Sequence, residues 1–198
     1  MVDQESMNRQ GGKFAGAPPR PLAPSPILYV AMGEGIVARA PHVICSDGFG
    51  SCVAVILYDR KRKIGGLAHI MLPAAPQMQN ADCGVSTTRN SQLETRNAQF
   101  KYADTAITAL LEEIQSRGGL RCDIVAKMAG GARMFTSCED TGPGIGQQNI
   151  AAVRESLDRK RIWLIGEDVG GHHGRGVEFH LESGKVIAIT VTTRGKEI

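Results

Sequence analysis

The chain has 198 residues, of which 42% are hydrophobic and 5% aromatic, and its 23 basic and 20 acidic residues give a formal net charge of +3. This length suits one well-buried domain, and the balanced charge and few aromatic side chains argue against nucleic-acid binding. No apolar run reaches the roughly 18 to 20 residues that cross a bilayer, and the N-terminus lacks the apolar segment of a secretory signal. We therefore expect a cytoplasmic protein.

Residues 1–26 contain QGGKFAGAPPRPLAPSP, a stretch rich in Gly, Pro and Gln. Such a composition buries too little apolar surface to offset the entropy of ordering, which predicts a flexible tail. We expect one folded domain over residues 27–198. It begins with ILYVAMG, GIVARA and HVICS, short apolar or alternating runs divided by Gly and Pro, which are typical of strands.

Two further strand-like runs, CVAVILYD and GGLAHIML, are joined by a polar connection at residues 60–64. This pattern predicts a β-hairpin. An antiparallel hairpin brings the start of its first strand beside the end of its second, so Cys52 and His69 become neighbours. Their Cβ atoms would be ~5 to 8 Å apart if the two residues are paired directly or diagonally on one face.

The second half of the chain predicts two helices and more strands. Residues 74–99 are polar and unpatterned, which favours a loop beside a functional edge. FKYADTAITALLEEIQSRGG predicts a covering helix that ends at Gly118 and Gly119. Its apolar face contains Ala103, Ala106, Ile107, Leu110, Leu111 and Ile114.

A strand, CDIVAKMAGG, and a second loop, MFTSCEDTGPG, come next. The second predicted helix, IGQQNIAAVRESLDRKR, carries an apolar stripe formed by Ile145, Ile150, Val153 and Leu157. The strand-like runs IWLIGED, RGVEFHL and KVIAITV follow, the last two joined across residues 182–184. At least six strands and two helices predict an α+β fold.

Cys52 is either a buried small side chain or a nucleophile. The chain has five cysteines without a CxxC pair, which favours free thiols in a reducing compartment. They are Cys45, Cys52, Cys83, Cys122 and Cys138. Gly48, Gly50 and Ser51 leave the backbone before Cys52 uncrowded, so that amide N–H groups could bind an oxyanion.

His69 could serve a nucleophilic Cys52 as general base and acid, because a thiol with a pKa of ~8.5 is mostly protonated at neutral pH. A third group is then needed to hold the imidazole tautomer. Ser46, six residues before Cys52, is the candidate, and Asp47 beside it is the rival.

The remaining polar motifs favour structural roles. His172 and His173 are adjacent, so extended backbone would point them to opposite faces, and no further ligand lies at a familiar metal spacing. His180 alternates with apolar neighbours in a predicted strand. The segment GGA at 130–132 matches neither common phosphate-binding motif, which favours a turn.

Six segments in order resemble the CheD chemoreceptor glutamine deamidases of bacterial and archaeal chemotaxis: GSCVAV, GGLAHIMLP, FKYADTAI, KMAGGARMF, IGQQN and EDVGGHHGR. The resemblance extends from about Ile27 to Val191. It implies layered mixed β-sheets flanked by helices, as in the cysteine hydrolase fold of cytotoxic necrotizing factor toxins. It also implies a catalytic thiol, a histidine and a hydroxyl, roles that fall on Cys52, His69 and Ser46. Serine departs from the threonine usual in the family, and the loop before Phe100 is longer than usual.

The function that the resemblance implies is hydrolysis of glutamine side-chain amides on methyl-accepting chemoreceptors, without a cofactor or metal. Cys52 would form a thioester, and the backbone N–H groups of Ser51 and Cys52 would stabilise the oxyanion. An alternative is a binding module that acts through a CheC-type phosphatase. A third possibility, transglutaminase-like or peptidase chemistry, would use the same thiol.

Overall fold

A computed structural model describes residues 25–75, 99–134, 142–190 and 193–198. Within these residues the chain forms ten strands and two α-helices, together with a short 3-10 turn at Arg121–Asp123. The strands are β1 (Ile27–Tyr29), β2 (Gly35–Arg39), β3 (Val43–Phe49), β4 (Val53–Asp59), β5 (Ile64–Ile70), β6 (Ile124–Gly130), β7 (Trp163–Val169), β8 (Arg175–His180), β9 (Lys185–Thr190) and β10 (Thr193–Glu197). The helices are α1 (Ala103–Ser116) and α2 (Ile145–Arg159).

The strands form two five-stranded sheets, with the orders β1-β3-β8-β9-β10 and β2-β5-β4-β6-β7. Both are mixed, since β1 pairs with β3 and β6 with β7 in parallel, while the remaining pairs are antiparallel. The prediction of an α+β fold with layered mixed sheets and flanking helices is confirmed.

The predicted hairpin is the centre of the second sheet. Strands β4 and β5 pair in antiparallel register, with Ala54 opposite His69, and every residue of both strands is buried. Alternate side chains enter two different apolar clusters: Val53 and Val55 pack with the helices, whereas Ala54 and Ile56 pack with the first sheet. A strand that is buried on both faces explains the nearly continuous apolar run in the sequence.

The predicted apolar face of α1 is confirmed, since all six of its named residues are buried. Helix α2 differs at one position. Ile150, Val153 and Leu157 are buried, but Ile145 is 43% exposed. Gly146 faces the sheet instead: a Cβ there would lie 2.6 Å from the carbonyl oxygen of Gly131. Because the helix approaches the backbone of Gly131 at Gly146, the neighbouring side chain of Ile145 points to solvent.

Several expectations concern parts of the chain outside the described residues. Of the predicted tail 1–26 only 25 and 26 are described, and of the polar loop 74–99 only 74, 75 and 99. Cys83 and Cys138 also lie outside them, whereas Cys45, Cys52 and Cys122 are free thiols. The division into a tail and one domain stays a prediction. Among the described helices, none is both long and apolar enough to cross a membrane.

Candidate active site

Cys52 lies immediately before β4 and its side chain is 9% exposed. It belongs to the apolar cluster between the two sheets, together with Ala54 of β4. Since Ala54 is opposite His69, Cys52 and His69 lie at diagonal positions on the same face of the hairpin. Diagonal partners have Cβ atoms ~7 to 8 Å apart or somewhat less. The hairpin thus brings the two residues together across 17 positions of sequence.

Ser46 reaches this pair from the other sheet. It is fully buried in β3, and its Oγ lies 3.0 Å from Nδ1 of His69 and 2.7 Å from the carbonyl oxygen of Val30. The site therefore lies between the two layers, with His69 on one sheet and Ser46 on the other.

These two contacts determine the tautomer of His69. A serine hydroxyl has one hydrogen, and the Val30 carbonyl can only accept it. The Ser46 oxygen must then accept a hydrogen from Nδ1. In the neutral imidazole the proton is therefore on Nδ1, and Nε2 carries a lone pair. Within the described residues, Nε2 is buried and has no hydrogen-bond partner.

Burial keeps both reactive groups neutral. The His69 side chain is 1% exposed, and Phe49 stacks on its ring with centroids 4.1 Å apart and planes 25° apart. Desolvation lowers the pKa of His69 from 6.5 to about 4 and raises the pKa of the Cys52 thiol. The resting pair is a thiol and a neutral imidazole, not a thiolate and an imidazolium.

The buried imidazole should make the protein less stable in acid. The unfolded chain takes up a proton at pH 6.5 and the folded chain only near pH 4, so stability is present above pH 6.5 and is lost as the pH falls towards 4. We expect His69 alone to reduce the free energy of unfolding by about 2 kcal/mol between pH 7.5 and pH 5. Urea unfolding at a series of pH values, with wild type beside His69→Gln, measures this. Equal pH slopes for the two proteins would contradict it.

Asp47, the rival for the third position, lies elsewhere. Its side chain is exposed, and its carboxylate accepts a hydrogen bond of 2.9 Å from the hydroxyl of Tyr29. The structure brings Ser46, and not Asp47, to the imidazole of His69. The catalytic roles of Ser46, Cys52 and His69 stay predictions, although their juxtaposition is a feature of the fold.

The backbone beside Cys52 is shaped by glycines. The carbonyl of Cys52 accepts a 2.7 Å hydrogen bond from the N–H of Gly131, and the carbonyl of Gly50 accepts one of 2.7 Å from Ala132. Gly131 has a φ of 66°, and a Cβ there would collide with Ile150. Gly130 is the last residue of β6, and the segment 130–132, where the sequence predicts a turn, instead continues beside residues 50–52.

Two backbone N–H groups and a cavity lie next to this segment. Within the described residues, the N–H groups of Ser51 and Cys52 donate to no backbone carbonyl. A cavity of about 290 Å³ adjoins Ser51, with Met134 and Ile145 among its lining residues. These features agree with an oxyanion site at Ser51 and Cys52, which stays a prediction.

His172 and His180 contact different partners and do not lie in one shared site. Nδ1 of His172 is 3.1 Å from the carbonyl oxygen of Arg133, and His180 lies 3.6 Å from a carboxylate oxygen of Glu178. Among the residues that the structure describes, no group of three His, Cys, Asp or Glu side chains is arranged to hold a metal ion.

Sequence reasoning missed two residues at the site, Phe49 and Asn149. Asn149 is fully buried, and its Nδ2 donates hydrogen bonds of 2.9 Å to the carbonyl oxygens of Ser51 and Met71. A signal was available: Asn149 lies four positions before Val153 on the apolar face of α2. A polar side chain at such a position must find partners inside the protein.

Comparison with known proteins decides the family. Residues 85–190 match the family model described as CheD chemotactic sensory transduction. The chain is 42% identical over 166 residues to the "Probable chemoreceptor glutamine deamidase CheD" of Moorella thermoacetica, which covers 83% of this chain and 90% of that protein. The chain belongs to the CheD family. The resemblance found in the sequence is thus confirmed.

A second CheD relative, the "Chemoreceptor glutamine deamidase CheD" of Halalkalibacterium halodurans, is 39% identical over 173 residues, which is 87% of this chain and 98% of that protein. Among solved structures, Neisseria meningitidis protein NMB0706 matches with a TM-score of 0.38 and 12% identity, covering 74% of this chain and 63% of that one. That structural similarity is too low to support a conclusion about this chain.

Proposed function

We propose that this CheD protein hydrolyses glutamine side-chain amides of chemoreceptors, giving glutamate and ammonia, with Cys52 as the nucleophile. Family membership and the names of the two relatives support the reaction and its substrate. The observation that carries the mechanism is the contact of Ser46 with Nδ1 of His69, because it leaves Nε2 as a base on the face that Cys52 shares.

Acylation begins with a neutral pair, so proton transfer accompanies the attack. The Cys52 thiol moves into hydrogen-bond distance of Nε2 and gives up its proton as the sulfur attacks the carboxamide carbon. The N–H groups of Ser51 and Cys52 stabilise the oxyanion. The protonated His69 then donates to the departing nitrogen, and ammonia leaves a thioester on Cys52.

Deacylation uses the same imidazole. Nε2 of His69 removes a proton from water, the resulting hydroxide adds to the thioester carbonyl, and the C–S bond breaks. The thiolate recovers its proton from His69, which completes the cycle. The carboxylic acid so formed loses its proton to solvent, so a neutral amide has become a carboxylate, which changes the charge of a receptor helix.

We infer the partners and the cellular location of the protein from its resemblance to the CheD family. The substrate surface would be the cytoplasmic helices of methyl-accepting receptors, so the protein would act in the cytoplasm. A CheC-type phosphatase is the second predicted partner. If binding of that phosphatase were the whole function, Cys52→Ala would leave the effect of the protein on chemotaxis intact.

The proposal predicts a fixed ratio of the two products, ammonia and glutamate. On incubation of the wild-type protein with a receptor cytoplasmic fragment, we expect ammonia in equal amount to the glutamates formed. Each converted site should gain about one mass unit, since NH₂ is replaced by OH in amide hydrolysis. An ammonia assay and peptide mass spectrometry measure the two quantities. A receptor fragment whose glutamines are replaced by alanine serves as the control.

Two outcomes would contradict hydrolysis. Incorporation of a labelled amine in place of the one-unit gain would indicate transglutaminase-like chemistry. No ammonia, with phosphatase binding intact, would favour the binding module.

A further inference from the structure

The pairing of β4 with β5 ends just before the proposed nucleophile. The last rung of their ladder joins Val53 and Ile70. Beyond it the carbonyl of Cys52 accepts from the N–H of Gly131, which continues the pairing of β4 with β6 on the other side of β4, and the N–H of Met71 donates to the carbonyl of Lys101, 2.9 Å away. Within the described residues, no backbone hydrogen bond joins Ser51 or Cys52 to Met71 or Leu72, the residues that would follow in the ladder.

The side chain of Asn149 fills this gap. Its Nδ2 donates one hydrogen to the carbonyl of Ser51 on the β4 side and the other to the carbonyl of Met71 on the β5 side, each at 2.9 Å. Both amide hydrogens are used, and the side chain is fully buried. Helix α2 holds Asn149 in place, because Gly146 allows its first turn to contact the backbone of Gly131.

The hydrogen bond to Ser51 has a consequence for Cys52. The C=O of Ser51 and the N–H of Cys52 belong to one peptide unit, which is planar and, in its trans form, points the two groups in opposite directions. Holding the oxygen of Ser51 towards Asn149 therefore aims the N–H of Cys52 away from it. In the described part of the chain, that N–H donates to no backbone carbonyl.

We propose that Asn149 is a positioning residue that prevents the Ser51–Cys52 peptide from rotating and so keeps the N–H of Cys52 directed at the oxyanion. The inference rests on the proposed function, since it assigns that N–H to the acylation step. Asn149 itself does not touch the reacting atoms. Without it, the Ser51 carbonyl loses its buried donor and the peptide becomes free to turn.

The test compares two reactions of Cys52 that differ in their need for an oxyanion site. Alkylation by iodoacetamide forms no oxyanion, whereas acylation by p-nitrophenyl acetate and deamidation of a receptor fragment both do. For Asn149→Ala we expect kcat for deamidation and the acylation rate to fall about 100-fold. KM and the alkylation rate should change less than about threefold.

Gln148→Ala is the matched control, because Gln148 is on the same helix and its amide donates to the carbonyl of Pro143 at an exposed position. It should leave all three reactions unchanged. If Asn149→Ala does not fold, as judged by circular dichroism, Asn149→Ser leaves a smaller gap and serves the same comparison.

The outcomes separate this inference from the proposed function. Equal losses of alkylation and acylation would show a merely structural role and overturn it, as would unchanged acylation. If the wild type does not deamidate the receptor fragment, yet acylation of Cys52 still falls selectively in the variant, the proposed function fails and the role of Asn149 stands.

Discussion

Cys52→Ala is expected to lower receptor deamidation by at least about 10³-fold, the largest effect of any substitution considered for this protein. The substitution removes the atom that forms the thioester, and neither His69 nor the backbone N–H groups can replace it. The fold should persist, because Cys52 is a small side chain immediately before β4 and Ala is similar to it in size. Ammonia release with purified variants measures the loss, and circular dichroism confirms folding.

Cys122→Ala provides the matched comparison for Cys52→Ala. Cys122 is an exposed thiol in the 3-10 turn before β6. Its removal should leave the deamidation rate unchanged, and iodoacetamide should still inactivate that variant. If Cys52→Ala retained more than about a tenth of the wild-type rate, Cys52 would not be the nucleophile.

Ser46→Ala is expected to lower kcat for deamidation by about 10² to 10³-fold, the second largest effect, with KM nearly unchanged. Alanine cannot accept the hydrogen on Nδ1 of His69, so the bias towards the tautomer with a free Nε2 is lost. The buried Nδ1 is left without its partner, which costs about 1 to 3 kcal/mol of stability. Steady-state kinetics and thermal unfolding of the same preparation measure both effects.

Ser46→Thr is the informative companion to Ser46→Ala. Threonine keeps the hydroxyl that bridges the Val30 carbonyl and His69, and its extra methyl restricts χ1. We expect kcat within about tenfold of wild type, with any loss arising from packing a methyl group at a fully buried position. If the Ala and Thr variants were equally impaired, crowding at position 46, and not the hydroxyl, would explain the loss.

The neutral resting pair distinguishes this site from one that stores a thiolate. Burial moves the pKa of His69 down and that of Cys52 up, so the charged pair is disfavoured before a substrate binds. A buried thiol in such surroundings reacts more slowly than a stored thiolate in the absence of substrate. The proton on Nδ1, held by Ser46, then makes Nε2 ready to accept the thiol proton.

Local sequence patterns determined most of the secondary structure. The alternation and apolar runs of β4 and β5, with a polar connection between them, sufficed to predict the hairpin and the proximity of Cys52 and His69. The apolar face of α1 was equally readable because helical periodicity repeats over four turns. The residues before Cys52 offered both Ser46 and Asp47 as the third member, and the family resemblance, which implies a hydroxyl, favoured Ser46.

Tertiary structure alone decided which polar atoms meet. Ser46 and His69 lie in different sheets, and their contact depends on how the two layers stack. Asn149 is 97 positions from Cys52, so its hydrogen bonds to Ser51 and Met71 depend on the docking of α2 against the sheet. Sequence periodicity specifies which face of a strand or helix is buried, because that depends on neighbouring residues. It does not specify which buried atoms of distant elements come within hydrogen-bond distance, because packing of the whole chain sets those distances.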